Sequence, residues 1–203
     1  MHERDTDDPR SEHLLEQLLE RANAAIRDYD LEAALGELER ALAVDFEDDD
    51  VLAALKYVNF WRERERQIAG IGHEFERGQY LLDQWPVFES FVRRVGDACQ
   101  PCLQSLRHYV FGSGLRAFNR LFSESESADA EVLLRIGRCH KGLGAYDEAS
   151  RYLEAAAAEN PSNAEITAEL ADAYALVNEI AAAKAFFREA FFLDPQQVHL
   201  EVL

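Results

Sequence analysis

Residues 132–161, VLLRIGRCHKGLGAYDEASRYLEAAAAENP, and residues 166–195, ITAELADAYALVNEIAAAKAFFREAFFLDP, decide the fold when one is laid over the other. Each ends in proline, and Pro161 and Pro195 stand 34 residues apart. Apolar residues recur in both at helical spacing, and no strand-like alternation of useful length occurs. Two helices that approach closely need small side chains at the crossing and a larger one beside them. Gly137, Ala149 and Ala156 with Leu153 meet that need in the first segment, and Ala171, Ala183 and Ala190 with Phe187 in the second. Gly144 and Tyr146 mark the turn of one copy, Asn178 and Ile180 that of the other. The closing proline ends the second helix of each pair and starts the connection to the next.

This pattern at a 34-residue period resembles the tetratricopeptide repeat (TPR) family. Weaker copies precede it. Residues 18–46 match through Ala22, Leu31, Ala34, Leu38 and Ala41, with Phe46 where proline is expected. Residues 105–122 match through Ser105, His108, Gly112, Ala117 and Leu121. The unit between them is about 15 residues too long for the repeat, and the excess is bounded by Gly70 and Gly72 rather than forming a polar loop. It reads as two long helices, 51–69 and from about 73 onward, the second kinked at Pro86 and the pair projecting from the array.

The expected organisation is an acidic disordered head at 1–10, a divergent repeat at 11–48 and an overlong helical hairpin at 49–97. A second divergent repeat at 98–129, repeats at 130–163 and 164–197 and a short segment at 198–203 complete it. With five units of two helices, about ten helices are expected. The resemblance implies an all-α, right-handed superhelix of antiparallel helix pairs, with a concave groove lined by the first helix of each pair.

The 203-residue chain carries 39 acidic and 21 basic residues, for a net charge of −18. Such a body repels phosphate backbones and anionic lipid, which argues against nucleic acid and membrane surfaces as partners. Residues 1–50 hold 17 acidic and 5 basic residues, and so two thirds of the excess charge. That block serves solubility or attracts a basic partner. No signal peptide or membrane-length apolar run is present, and three cysteines do not make a secreted disulfide framework, so a cytoplasmic location is expected.

Motifs for chemistry are sparse. GIGHEF lacks the last glycine and the preceding strand of a dinucleotide loop, and HEFER lacks the second histidine of a zinc-protease helix. No catalytic residues, cofactor or metal are expected, and the chain reads as a non-enzyme. Cys99 and Cys102 form a C-x-x-C with Pro101 opening a helix, where a helix N-terminus lowers a thiol pKa. Cys139 and His140 would complete a zinc set, although adjacent helical residues point about 100° apart. Thioredoxin-like motifs belong to βαβ folds, which this pattern lacks. Buried structural cysteines are the preferred reading, with zinc and redox chemistry as alternatives. Trp85 and Phe88 read as hairpin core rather than a ligand box.

By the resemblance, a partner peptide or helix lies against Leu19, Asn23, Ile26, Tyr57, Phe60, Trp61, Cys102, Leu106, Tyr109, Leu134, Arg138, Lys141, Ala168, Asp172 and Ala175. Leu19, Ala53, Cys102 and Ala168 stand where the carboxylate-clamp members carry basic residues, so that subfamily does not fit. An apolar middle with Arg138 and Lys141 beyond it suits an amphipathic or extended segment with some acidic character. Alternatively, the bulky residues pack on the long hairpin and close the groove. The function implied is an adaptor or scaffold. The other reading is a self-assembling component that associates through the long hairpin or through a C-terminal patch of Phe191, Phe192, Val198 and Leu200.

Overall fold

The computed structural model describes residues 9–96, 99–124 and 129–196, which form nine α-helices and no strand. They are α1 (Pro9–Arg27), α2 (Leu31–Val44), α3 (Asp49–Ala69), α4 (Glu74–Val95), α5 (Gln100–Glu124), α6 (Ala130–Gly142), α7 (Tyr146–Glu159), α8 (Ala164–Leu176) and α9 (Ile180–Leu193). Of the expected acidic head, residues 1–8 lie outside the described residues, as does the segment 198–203.

Three helical hairpins, α1–α2, α6–α7 and α8–α9, turn in the same way. Each first helix ends on a residue in the left-handed region: Tyr29 (φ 66°), Gly144 (φ 77°) and Asn178 (φ 65°). The next N–H then reaches back five residues, from Asp30 to Ala25 O (2.9 Å), Ala145 to His140 O (2.9 Å) and Glu179 to Tyr174 O (2.8 Å). These bonds satisfy carbonyls that the helix end would otherwise leave open. Gly144 and Asn178 suit that conformation, whereas a tyrosine there is strained. Tyr29 is held by its ring, which lies 5.7 Å from His108 and 6.0 Å from Tyr109. Asp30, Asp48, Asp129 and Asn163 cap the helices that follow them, each accepting a backbone N–H of the first turn.

The chain divides into two compact units. The first takes the chain up to Gly72 together with Leu82–Val110, and the second takes His73–Leu81 and the chain from Phe111 onward. Both α4 and α5 therefore contribute to each unit. Pro86 lies inside α4, and its missing N–H leaves the carbonyl of Leu82 without its helical donor. Leu82 is also where the helix passes from one unit to the other.

In the first unit, α3 and the later part of α4 pack antiparallel around an aromatic core. Trp61 stacks on Trp85 at 6.3 Å, Tyr57 meets Phe88 edge-on at 5.7 Å, and Phe60 stacks on Phe91 at 5.2 Å. Arg64 lies over the Phe60 ring and donates from Nε to Gln84 Oε1 at 2.8 Å.

In the second unit, Leu133, Leu134, Leu153, Ala156, Ile166, Leu170 and Ala173 form the core of the two 34-residue repeats. Paired rings recur one repeat apart: His140 on Tyr152 at 5.2 Å, and Tyr174 on Phe186 at 5.4 Å. Gly137 is required here, because a Cβ would stand 2.6 Å from Leu153 Cγ.

Two expectations are corrected. Residues 98–129 do not hold a helix pair: α5 is one 25-residue helix running through Gly112 and Gly114. Gly114 lets helices approach rather than turn, since a Cβ there would meet Cys139 Sγ at 3.2 Å. Nor does the long hairpin simply project. The first turns of α4 belong to the core of the second unit, where Leu81 is buried and Phe75 meets Phe118 edge-on at 5.6 Å.

Candidate partner-binding surfaces

In the first unit, α1 and the first turn of α5 border a groove of about 820 Å³. Leu15 and Leu19 supply its apolar floor, and Glu12, Glu16 and Glu20, one helical turn apart, supply an acidic edge. Arg21, Asn23, Ala24, Arg27, Pro101 and Gln104 complete it, so two arginines stand beside the three carboxylates. Leu18, Ala41 and Val51 pack beneath the two leucines and hold that face of α1 in place. Of the residues expected to face a partner, Leu19 and Asn23 line this groove.

The others in this unit lie elsewhere. Ile26, Tyr57, Trp61 and Leu106 are fully buried, and Cys102 nearly so, so they contribute packing and no accessible surface. Tyr109 is also buried, with its hydroxyl donating to Glu65 Oε1 at 2.8 Å. Phe60 is half-buried under Arg64.

A second groove of about 470 Å³ runs between the later part of α4 and the start of α5. Trp85, Phe88, Val92 and Leu103 form its apolar lining, with Glu89, Arg93 and Arg107 around them. Trp85 Nε1 donates to Glu89 Oε1 at 2.7 Å, and the Arg107 guanidinium lies 5.6 Å from the Trp85 ring. Sequence reasoning placed Trp85 and Phe88 together in the core. Both pack on Trp61 in that core and both also line this groove, Phe88 buried and Trp85 half-buried. The apolar period marks both as inward-facing, and only the packing of α5 leaves one wall open.

In the second unit, α6 and α8 face each other through ion pairs. Arg138 donates to Glu165 Oε1 at 2.7 Å and to Glu169 Oε1 at 2.8 Å, and Lys141 donates to Glu169 and to Asp172 Oδ2 at 2.6 Å. Burial disfavours each charge, but the opposite charges outweigh it. Arg138 and Lys141 are held above their ordinary pKa values by Glu169 and its neighbours, and Glu169 is held below its own by Arg138 and Lys141. The two basic residues are thus already engaged by three carboxylates, which weakens the expectation of an acidic partner at this end. Leu134 is fully buried, and Ala168 and Ala175 are half-buried beside the network. Glu165 and Glu169 were missed by sequence reasoning. For Glu169 the signal was the 34-residue offset, which sets it at the repeat position held by Arg135; Glu165 falls at that of Glu131, and the offset gave no signal for it.

Replacing Glu169 with glutamine is expected to cost about 2 kcal/mol at neutral pH, because two charge-assisted bonds lose their charge. A depressed carboxylate pKa stabilises the fold above the ordinary glutamate value of 4.5, and that contribution fades as the pH falls through the folded value below it. Urea unfolding should therefore separate wild type from Glu169→Gln at pH 7 and bring them together near the acid end. An equal gap at both pH values would contradict the network.

On α9, Phe191 and Phe192 are 55% and 84% exposed, with exposed Lys184 and Arg188 on the same helix. Val198 and Leu200, expected beside them, lie outside the described residues. Among the described residues no helix is long and apolar enough to cross a membrane, and no group of three or more His, Cys, Asp or Glu side chains is placed to hold a metal.

The tetratricopeptide repeat family model matches residues 142–200, which take in α7, α8 and α9. Among solved structures, the crystal structure of MamA protein is 13% identical, with a TM-score of 0.39, covering 94% of this chain and 97% of that one. The structure designated MamA MSR-1 C2 is 17% identical with a TM-score of 0.39, covering 93% and 99%. No curated protein matches the sequence.

Proposed function

We propose that this chain is a non-enzymatic protein-binding module whose α1 groove takes an amphipathic segment carrying basic residues beside an apolar stripe. The observation that carries this reading is the groove itself, with an apolar floor of Leu15 and Leu19 and an edge of Glu12, Glu16 and Glu20. An apolar stripe gives such a contact its affinity, and the carboxylates set orientation and partner choice. The tetratricopeptide match at 142–200 supports a helical-repeat interaction protein.

The test uses a displayed library of amphipathic helical peptides selected on the purified protein, with binding read by fluorescence anisotropy. Glu16→Lys combined with Glu20→Lys changes exposed residues and should leave the fold intact. Selected peptides are expected to be basic and to bind that double variant about tenfold more weakly. Peptides that bind both proteins equally, or that are acidic, would overturn the reading.

A second reading, self-association through α9, is favoured by the exposure of Phe191 and Phe192. It is the outcome if sedimentation shows concentration-dependent assembly that Phe192→Glu abolishes.

A further inference from the structure

The groove between the later part of α4 and the start of α5 lies wholly within the first unit. Trp85, Phe88 and Val92 recur along α4 at helical spacing, so they form one apolar stripe. It runs two helical turns, about 10 Å at 1.5 Å per residue. Leu103 adds to it from α5. Glu89 and Arg93 stand one turn apart on the α4 wall, and Arg107 stands one turn beyond Leu103 on the α5 wall.

These three charges differ in what they already hold. Glu89 is engaged, since it accepts the indole N–H of Trp85 at 2.7 Å. Arg93 and Arg107 are exposed, and among the described residues neither is in an ion pair. Arg93 donates from Nη2 to Ser90 Oγ at 2.9 Å, and the Arg107 guanidinium lies 5.6 Å from the Trp85 ring. Elsewhere the surplus of acid does reach basic side chains: Arg40, Arg62, Arg138 and Lys141 each hold a carboxylate at 3.3 Å or less. In a chain of net charge −18, an apolar groove with an arginine on each wall is a local reversal of sign.

We propose that the α4–α5 groove is a second binding surface, which takes a short acidic segment of another protein with a bulky apolar side chain among its carboxylates. The apolar stripe receives that side chain and gives the contact its affinity. The guanidinium groups of Arg93 and Arg107 receive carboxylates, to which a planar fork of donors is matched. Charge complementarity selects the occupant. A polyanion such as a nucleic acid or an anionic membrane is repelled by the acidic body of the chain. A segment with only a few carboxylates, set between the two arginines, meets the local positive charge at close range, where it outweighs the screened charge farther off. The α1 groove and this one lie along the start of α5 and share Gln104. Their occupants differ in sign, and this inference does not rest on the reading of the α1 groove.

The two tryptophans of the chain give the readout, because Trp85 lines the groove and Trp61 has no exposed surface. The full chain is titrated with a short synthetic peptide of glutamate, serine and glycine around one leucine. A control peptide carries lysine in place of glutamate. Neither peptide absorbs as an indole does, so a change in intrinsic fluorescence comes from the protein. The expected result is a saturable change with the acidic peptide alone. Arg93→Gln combined with Arg107→Gln alters exposed residues, should keep the circular dichroism of the wild type, and should weaken binding about tenfold, with a larger gap at low salt. Trp85→Phe should lose the fluorescence change while a labelled acidic peptide still binds by anisotropy. The proposal is overturned if the acidic peptide shows no saturable binding, if the lysine peptide binds as well, or if the double variant binds unchanged. Concentration-dependent self-association that the double variant abolishes would also overturn it, since the groove would then belong to a second copy. Glu16→Lys with Glu20→Lys should leave acidic-peptide binding intact, and its loss there would move the peptide to the α1 groove and overturn the assignment. Failure of either reading is therefore visible apart from the other.

Discussion

Trp61→Ala is expected to destabilise the first unit by about 3–5 kcal/mol, the range for truncating a large buried aromatic. Trp61 has no exposed surface, and Phe60, Trp85, Phe88 and Tyr109 surround it at ring distances of 5.4, 6.3, 5.4 and 6.5 Å. Those rings come from α3, α4 and α5, so the cavity would open where three helices meet and none could collapse into it alone. Trp61→Phe is expected to cost much less. Among the described residues the indole N–H of Trp61 is buried without an acceptor, so phenylalanine removes an unsatisfied donor while keeping most of the volume. Urea unfolding followed by circular dichroism measures both. Equal losses for the two variants would mean that the ring volume is not what matters.

Gly78→Val should cost the second unit about 3 kcal/mol, at the upper end of overpacking effects. A Cβ at Gly78 would lie 2.5 Å from Cζ of Phe118 and 2.7 Å from Cε2, and Phe118 is fully buried and has nowhere to swing. Valine gains less than alanine would from leaving glycine in a helix, at most about 1 kcal/mol, so the clash decides the sign. Phe118→Ala alone should be destabilising by about 3–5 kcal/mol. The double variant should lose clearly less than the two together, because each change makes room for the other, with a coupling of about 1–3 kcal/mol. Additive losses in thermal unfolding would show that α4 and α5 do not cross at Gly78.

Much of the candidate surface was legible only in part. Leu19 and Asn23 line the groove between α1 and the start of α5. Ile26, Tyr57, Trp61 and Leu106 occupy comparable positions yet are sealed. Periodicity marks which face of a helix is apolar, but a core face and a binding face share that pattern. Arg138 and Lys141 were located correctly on α6 as residues, while their engagement by Glu165, Glu169 and Asp172 depends on how α8 is stacked.

By itself the sequence determined that the chain is helical and that α6–α7 and α8–α9 are copies of one hairpin. It did so through local rules that carry their own geometry: small residues at a crossing, a left-handed residue at Gly144 and Asn178, and a proline after each second helix. Only the tertiary structure decided that α5 is one helix and that α4 serves two units. The physical reason is that a glycine serves equally as a turn or as a close approach. Gly144 has no neighbour within reach and turns, whereas Gly78 and Gly114 have Phe118 and Cys139 against them and do not.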